Sequence, residues 1–330
     1  MPLSRFKTVV MLCPHAVTGG PEAMHQAAFA LNSIGVTCYM VYAGADHPVA
    51  IEPQRIVCSK PESPALQNAY ARYNPRIFSE LPLGPETLVV FPEAYAQYVA
   101  RRKNHGVALW WLSVDNAFKA DPRLADRAAR FQLVGDEAII HLHQSAYARN
   151  WLRDSGFQNL LQLEDYSNET FTDREAYGPS PQPWASYNAA KGADLAESFF
   201  GEHPEYQALP LRKFTKPQLR DIFAERLIYI DFGHFPGKDR LPREAAISGS
   251  IVFTNRAGAG AVYEDFPLPD VFKFDAADVT SGELHRRLQA VVADPARFWA
   301  MQADFRSRIR WEKAQFFDTL MRLWGIRRMP

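Results

Sequence analysis

The segment Asp231–Asn255, DFGHFPGKDRLPREAAISGSIVFTN, decides how this chain is read. It leaves an apolar run (RLIYIDF, 226–232) and passes through Gly233 and Gly237 into the charges Lys238, Asp239, Arg240, Arg243 and Glu244. It then enters an alanine-rich stretch and a second apolar run, SIVFTN. The two runs read as strands, and Pro242 suits the first turn of a short helix between them. Strand, turn, helix, strand is the unit of a parallel sheet, which meets its ligands at the turns beyond the carboxyl ends of the strands. A diphosphate needs backbone donors and one or two cations there. A ribose needs a carboxylate that accepts from both hydroxyls. Gly237, Lys238, Arg240 and Glu244 offer that set in one segment, and Lys191 in YNAAKG, after an earlier strand, can bring another cation to the same edge. The competing reading is a surface helix start whose ion pairs contribute little.

Working outward, the same alternation recurs. TVVMLC reads as a strand buried on both faces. A helix follows, with Met24, Ala27, Ala28, Leu31 and Ile34 at helical spacing and Gly35 placed for a left-handed stop. VTCYMVY is the next strand. TLVVF before EAYAQYVARRKN, VALWWLSV, and AIIHLHQS before AYARNWLRDSG continue the series. EAYGPSPQPWASYN holds Pro179, Pro181 and Pro183, which do not belong together inside a helix or a central strand, and reads as a linker. Beyond it come WASYN, the helix-like KGADLAESFF, and KPQLRDIFAE capped by Thr215. The short strand FKFD follows, with two helical stretches from Asp278 onward. This predicts an α/β chain of two Rossmann-like domains: 1–165, a linker at 166–183, a second domain at 184–302, and a C-terminal helix at 303–330 that packs back on the first domain. At 330 residues the chain is long enough for two cores of ordinary size.

The formal net charge is zero, which argues against a protein whose main work is gripping nucleic acid through phosphates. Cys13, Cys38 and Cys58, an odd number with no CxxC spacing, fit reduced buried thiols in a cytoplasmic protein. MPLSRFKTVVMLCPH reads as a first strand and not as a signal peptide, and no segment reaches bilayer-spanning length. The tail FRSRIRWEKAQFFDTLMRLWGIRRMP mixes Arg306, Arg310, Lys313, Arg322 and Arg327 with Trp311, Phe316, Phe317 and Trp324, so peripheral contact with an anionic membrane is an alternative to packing on the first domain.

In the first half, the turn PHAVTGGPEAMH brings His15, Glu22 and His25 near two glycines, with no GxGxxG fingerprint. His15 reads as a catalytic base or a loop histidine. Glu22 reads as a cleft carboxylate or a favourable first-turn acid. Glu93 and Asp115 directly follow apolar runs, and Trp110 and Trp111 stand where they can desolvate Asp115. His141 and His143 share a strand face without a carboxylate triad, so no metal site is expected.

At these residues the chain resembles the GT-B class of sugar-nucleotide-dependent glycosyltransferases, and in particular the bacterial surface-polysaccharide type. DFGHFPGKDRLPREAA carries the resemblance, supported by TGGPEAMHQAAFAL, HLHQSAYARNWL with LEDYSN, and YNAAKG. It departs from the family pattern in two places. Val252 stands eight residues after Glu244, where the retaining branch often has a second glutamate, and Ala189 replaces a proline. The resemblance implies a GT-B fold with a deep interdomain cleft and a nucleoside-diphosphate sugar as donor substrate, without a further cofactor. Glu244 would hold the ribose, with Lys191 and Arg240 at the diphosphate. It also implies a saccharide or lipid-linked saccharide acceptor, activated by Asp115, Glu22 or His15, and metal-independent transfer of a hexosyl or deoxyhexosyl group. Such an enzyme would work in the cytoplasm or at the inner face of its membrane. A sugar-nucleotide epimerase of the same fold, or an inactive saccharide-binding homologue, are the alternatives.

Overall fold

The computed structural model describes residues 3–101, 104–126, 135–173 and 178–327, and the chain divides into two units, Met1–Asp165 with Ala314–Pro330, and Tyr166–Lys313.

In the first unit, β1 (Thr8–Pro14), α1 (Gly19–Ser33) and β2 (Thr37–Ala43) form the opening β-α-β element. The inner residues of β1 are all buried, as a continuous apolar run requires of a strand covered on both faces. Gly35 ends the helix at φ +86°. A small antiparallel sheet follows, β3 (Val49–Ile51), β4 (Arg55–Cys58) and β5 (Glu80–Pro82), with α2 (Pro64–Ala69) between its last two strands. β6 (Thr87–Pro92), β7 (Gly106–Trp111), α3 (Val114–Ala120), β8 (Ile139–His143), α4 (Ala146–Asp154) and β9 (Leu160–Gln162) complete the unit. The main sheet has the order β2-β1-β6-β7-β8-β9 and is parallel throughout. The stretch after β6, expected as an α-helix, is a 3-10 segment, Glu93–Arg101, broken at Tyr95, whose hydroxyl donates to the Ala43 carbonyl at 2.7 Å. That tertiary bond competes with continuous helix geometry.

The second unit begins with α5 (Glu169–Thr172), so part of the stretch read as a linker is packed structure: Tyr166 and Phe171 are both buried. Residues 174–177 of that stretch lie outside the described residues. Its sheet contains β10 (Gln182–Asn188), β11 (Leu209–Leu211), β12 (Arg226–Asp231), β13 (Ile251–Asn255) and β14 (Lys273–Phe274), all parallel, in the order β11-β10-β12-β13-β14. β10 starts inside the proline cluster. Pro183 fits because the register against β12 shifts between Gln182 and Ala185, and a bulge tolerates a residue without an N–H. α6 (Ala193–Glu202), α7 (Lys216–Glu225) and α8 (Arg240–Ser248) link the strands; Thr215 and Gln218 form the capping box of α7. The C-terminal helical stretch breaks into α9 (Ala276–Thr280), α10 (Glu283–Ala293), α11 (Pro295–Met301) and α12 (Ala303–Trp324). Gly282, at φ +73°, precedes α10, and Asp294 caps α11 through its bond from the Arg297 amide at 3.2 Å.

Between α11 and α12, the fully buried Gln302 uses its amide as a piece of backbone. It accepts from Val252 N at 3.1 Å and donates to Val252 O at 2.9 Å. The far end of α12 belongs to the first unit, where Phe317 meets Phe29 edge-on and Trp324 Nε1 donates to the Phe6 carbonyl at 3.1 Å. Among the described residues no helix is long and apolar enough to cross a membrane, and all three cysteines are buried free thiols.

The buried histidines of the first unit have a measurable consequence. Burial pushes His25 down to about 4, against the Pro21 carbonyl, which favours the charged form. It does the same to His141 and to His143. A histidine held below its unfolded value near 6.5 stabilises the fold above that value and loses its contribution as pH falls through the folded one, at roughly 3 kcal/mol per group. Glu93, raised by burial to about 7, works in the opposite sense between its unfolded value and 7. Three histidines outweigh one carboxyl, so stability to denaturant should fall steeply as pH drops from 6.5 to 4. An unfolding free energy that stays flat across that range would contradict this.

Candidate active site

The carboxyl ends of the second sheet are built on one local device used three times. β10 ends at Asn188, β12 at Asp231 and β13 at Asn255, and each side-chain oxygen accepts the amide two residues on: Ala190, Gly233 and Ala257, all at 3.0 Å. Such Asx turns bend a chain sharply out of a strand. Asp231, fully buried, also receives Asn188 Nδ2 at 3.1 Å and the Tyr229 hydroxyl at 3.0 Å, and thereby ties two neighbouring turns into one platform. Asn255 Nδ2 adds a bond to the Phe232 carbonyl at 3.0 Å.

Lys191 leaves the first of these turns. Its ammonium donates to the His234 carbonyl at 2.9 Å, pairs with Asp239, and lies 4.5 Å from the centre of the Phe235 ring. Gly192, at φ +67°, allows the close approach this needs: a Cβ there would sit 2.6 Å from the Phe232 carbonyl carbon. The Lys191 turn and the start of α8 therefore share an ion pair, and Arg240 is the next residue after its acidic member. Gly237 is buried beneath the loop, and Glu244 is buried one turn into α8.

Two charges of the opening segment are held elsewhere. Arg243 is fully buried and bonds Glu312 of α12 at 2.9 Å, while Lys238 pairs with the other oxygen of Glu312 at 3.3 Å. Glu312 further accepts Ser167 N at 2.9 Å and Ser167 Oγ at 3.0 Å. Lys238, expected at the diphosphate, is thus brought to the C-terminal helix; its ammonium is the end of a long side chain whose direction sequence does not specify.

In the first unit the three candidate bases stand beyond parallel strand ends in different surroundings. His15 is exposed just past β1, with Nε2 2.7 Å from Ser63 Oγ and its ring stacked on His47 at 3.9 Å. Desolvation, then the neighbouring His47 and Lys60, hold it below its ordinary value. Glu22, in the first turn of α1, is buried and accepts the Tyr73 hydroxyl at 3.1 Å. Asp115, in the first turn of α3, is half-buried and accepts from Tyr147 at 3.4 Å. The indoles expected to desolvate Asp115 are engaged in the core instead. Trp110 Nε1 donates to Leu163 O at 3.0 Å and Trp111 Nε1 to His141 Nδ1 at 3.1 Å. His141 and His143 are consequently core groups of β8, and Glu93 braces the sheet edge by accepting Leu112 N at 3.0 Å. His25 is a core group as well, bonded to Tyr42 at 3.0 Å.

No protein-family model and no curated protein sequence matches the chain. Solved structures do. Sucrose-phosphate synthase from Thermosynechococcus elongatus superposes with a TM-score of 0.60 at 12% identity, covering 97% of this chain and 100% of that one. A glycosyltransferase from Rickettsia africae gives 0.59 at 10% identity, with 97% and 98% covered. Anabaena HepE in complex with UDP gives 0.56 at 11% identity, again covering 97% and 98%. With two parallel Rossmann-like sheets in one polypeptide and these neighbours along nearly its whole length, the chain has the GT-B fold.

Proposed function

We propose that this protein is a glycosyltransferase that moves a hexosyl or deoxyhexosyl group from a nucleoside-diphosphate sugar to a hydroxyl of a saccharide or lipid-linked saccharide, in the synthesis of a surface polysaccharide or glycoconjugate. The observation that carries the proposal is the platform at the carboxyl ends of β10 and β12, where Lys191 and the start of α8 meet in a fold used by sugar-nucleotide enzymes. A diphosphate entering there replaces Asp239 as the partner of Lys191 and meets Arg240 and the amides at the start of α8. Glu244 accepts from the ribose hydroxyls. The transition state resembles an oxocarbenium ion departing from a diphosphate, and two fixed cations with helix amides can hold the leaving charge in place of a divalent ion. If the reaction inverts, His15 is the best-suited base of the three: it is exposed, and it is held neutral at pH 7, whereas Glu22 and Asp115 each accept a tyrosine hydroxyl.

The test is calorimetric titration with UDP, dTDP, GDP and CMP sugars, starting from UDP because the HepE structure contains it. Arg240→Ala and Glu244→Ala should each weaken binding of the preferred donor by about 1 kcal/mol or more, roughly fivefold, as loss of a charge-assisted contact does. Unchanged affinity in both variants removes the assignment. Release of nucleoside diphosphate only when acceptor is added marks transfer, and isomerised donor without acceptor would mark an epimerase instead.

A further inference from the structure

Away from the proposed donor platform, one set of ligand-type side chains converges from stretches of the second unit that are far apart in sequence. His203 follows α6, Glu205 lies in the 3-10 turn Pro204–Tyr206, and His285 is in the first turns of α10. Their ligating atoms all lie within 4.8 Å of one another. Glu205 Oε1 is 3.7 Å from His203 Nδ1 and 3.8 Å from His285 Nδ1. Two imidazoles and a carboxylate are a donor set that suits zinc and its late first-row neighbours. Bonds of about 2.0–2.2 Å at tetrahedral angles place donor atoms roughly 3.4 Å apart, so the two Glu205 separations need to close by only a few tenths of an ångström.

The surroundings orient the set. Tyr206 is buried, and its hydroxyl stands 3.3 Å from His285 Nδ1, a contact that steadies the ring and gives way when an ion takes the lone pair of that nitrogen. The two imidazoles are stacked, 3.9 Å between centroids and 7° between planes. Stacked rings hold their lone pairs in parallel planes, so one ring must tilt for both to reach the same ion. His203, on a turn and not inside a helix, is the ring placed to do so.

We infer that His203, Glu205 and His285 form a surface site for a zinc-class divalent cation, with water completing its coordination. Such an ion joins the end of α6 to the start of α10. α6 begins directly after Gly192, so the ion holds the far end of the helix that follows the Lys191 turn. It lies outside the groups assigned to the donor, and the two assignments stand or fall separately.

The test uses the full chain without a polyhistidine tag, stripped with EDTA and dialysed. Titration with zinc chloride should show one equivalent bound at micromolar or tighter affinity and a rise in melting temperature, whereas magnesium chloride, a hard ion that prefers oxygen, should show neither. His203→Ala and His285→Ala should each weaken zinc binding tenfold or more, while leaving the melting temperature of the metal-free protein within a degree or two. Glu205→Gln should weaken it by a smaller factor. No zinc uptake by the unmodified chain overturns the inference. So does uptake that persists in the His203→Ala, His285→Ala double variant.

Discussion

Replacing Glu312 with alanine is expected to destabilise the protein by about 3–5 kcal/mol, the usual result of stripping one partner from a buried ion pair. Arg243 has no exposed surface and takes Glu312 as a charge partner, and its Nε and Nη2 bonds to the Asp239 and Lys238 carbonyls fix the loop before α8. The same carboxylate receives both polar groups of Ser167, so the deletion also leaves a buried amide and a hydroxyl without that acceptor. Denaturant unfolding of Glu312→Ala and Glu312→Gln separates these losses. The glutamine keeps an acceptor for Ser167 and gives up the charge, so it should recover part of the stability. A double variant, Arg243→Met with Glu312→Leu, should recover the part of the loss that comes from the stranded guanidinium, while Ser167 and Lys238 still lose their acceptor. A single Glu312→Ala variant within 1 kcal/mol of the parent would show that Arg243 finds another route to compensation.

Gly192→Ala should damage both stability and donor binding. The residue sits at φ +67°, where a side chain costs about 1–2 kcal/mol, and the added Cβ would lie 2.6–2.8 Å from backbone atoms of Phe232 and Gly233. Backbone cannot swing aside as a flexible side chain can, so a further 1–3 kcal/mol of overpacking is expected. Relief comes only by separating the two turns, which carries Lys191 away from Asp239 and from the carbonyl of His234. The variant should therefore lose about 2–5 kcal/mol in denaturant unfolding and bind donor nucleotide at least tenfold more weakly. Normal donor affinity at a temperature where the variant is folded would separate Lys191 from the diphosphate.

The main sheets were legible because a strand buried on both faces must be apolar nearly throughout, and runs such as TVVMLC, TLVVF and RLIYID admit few other readings. The antiparallel sheet of β3, β4 and β5 was not legible. RIVC alternates exposed, buried, partly covered and buried, but it is too short to establish a period. Pro183 misled for a definite reason: proline argues against a central strand unless a bulge takes it, and a bulge leaves no mark in one sequence.

At the site, local signals worked and distant ones did not. The Asx turns are written in the sequence as Asn188, Asp231 and Asn255, each closing an apolar run. That α8 is buried from Pro242 to Ser248 could not be seen, so Arg243 read as one more member of a charged surface. Its partner lies 69 residues on in α12, and no spacing rule reaches that far. Asp115 was given indoles that the sheet had already claimed, because neighbours in sequence along a strand face opposite sides.

Gln302 has a consequence for how this protein behaves in a crowded solution. β14 covers only the last two positions of β13, opposite Thr254 and Asn255, which leaves the N–H and C=O of Val252 facing outward with no strand to meet them. A naked pair of that kind is a template on which another chain can add itself. The carboxamide of Gln302 fills the place as a strand one residue long, and so closes the sheet against its own copies. Losing that plug would strand a buried amide and carbonyl, and the fold would loosen there ahead of any change at the donor platform.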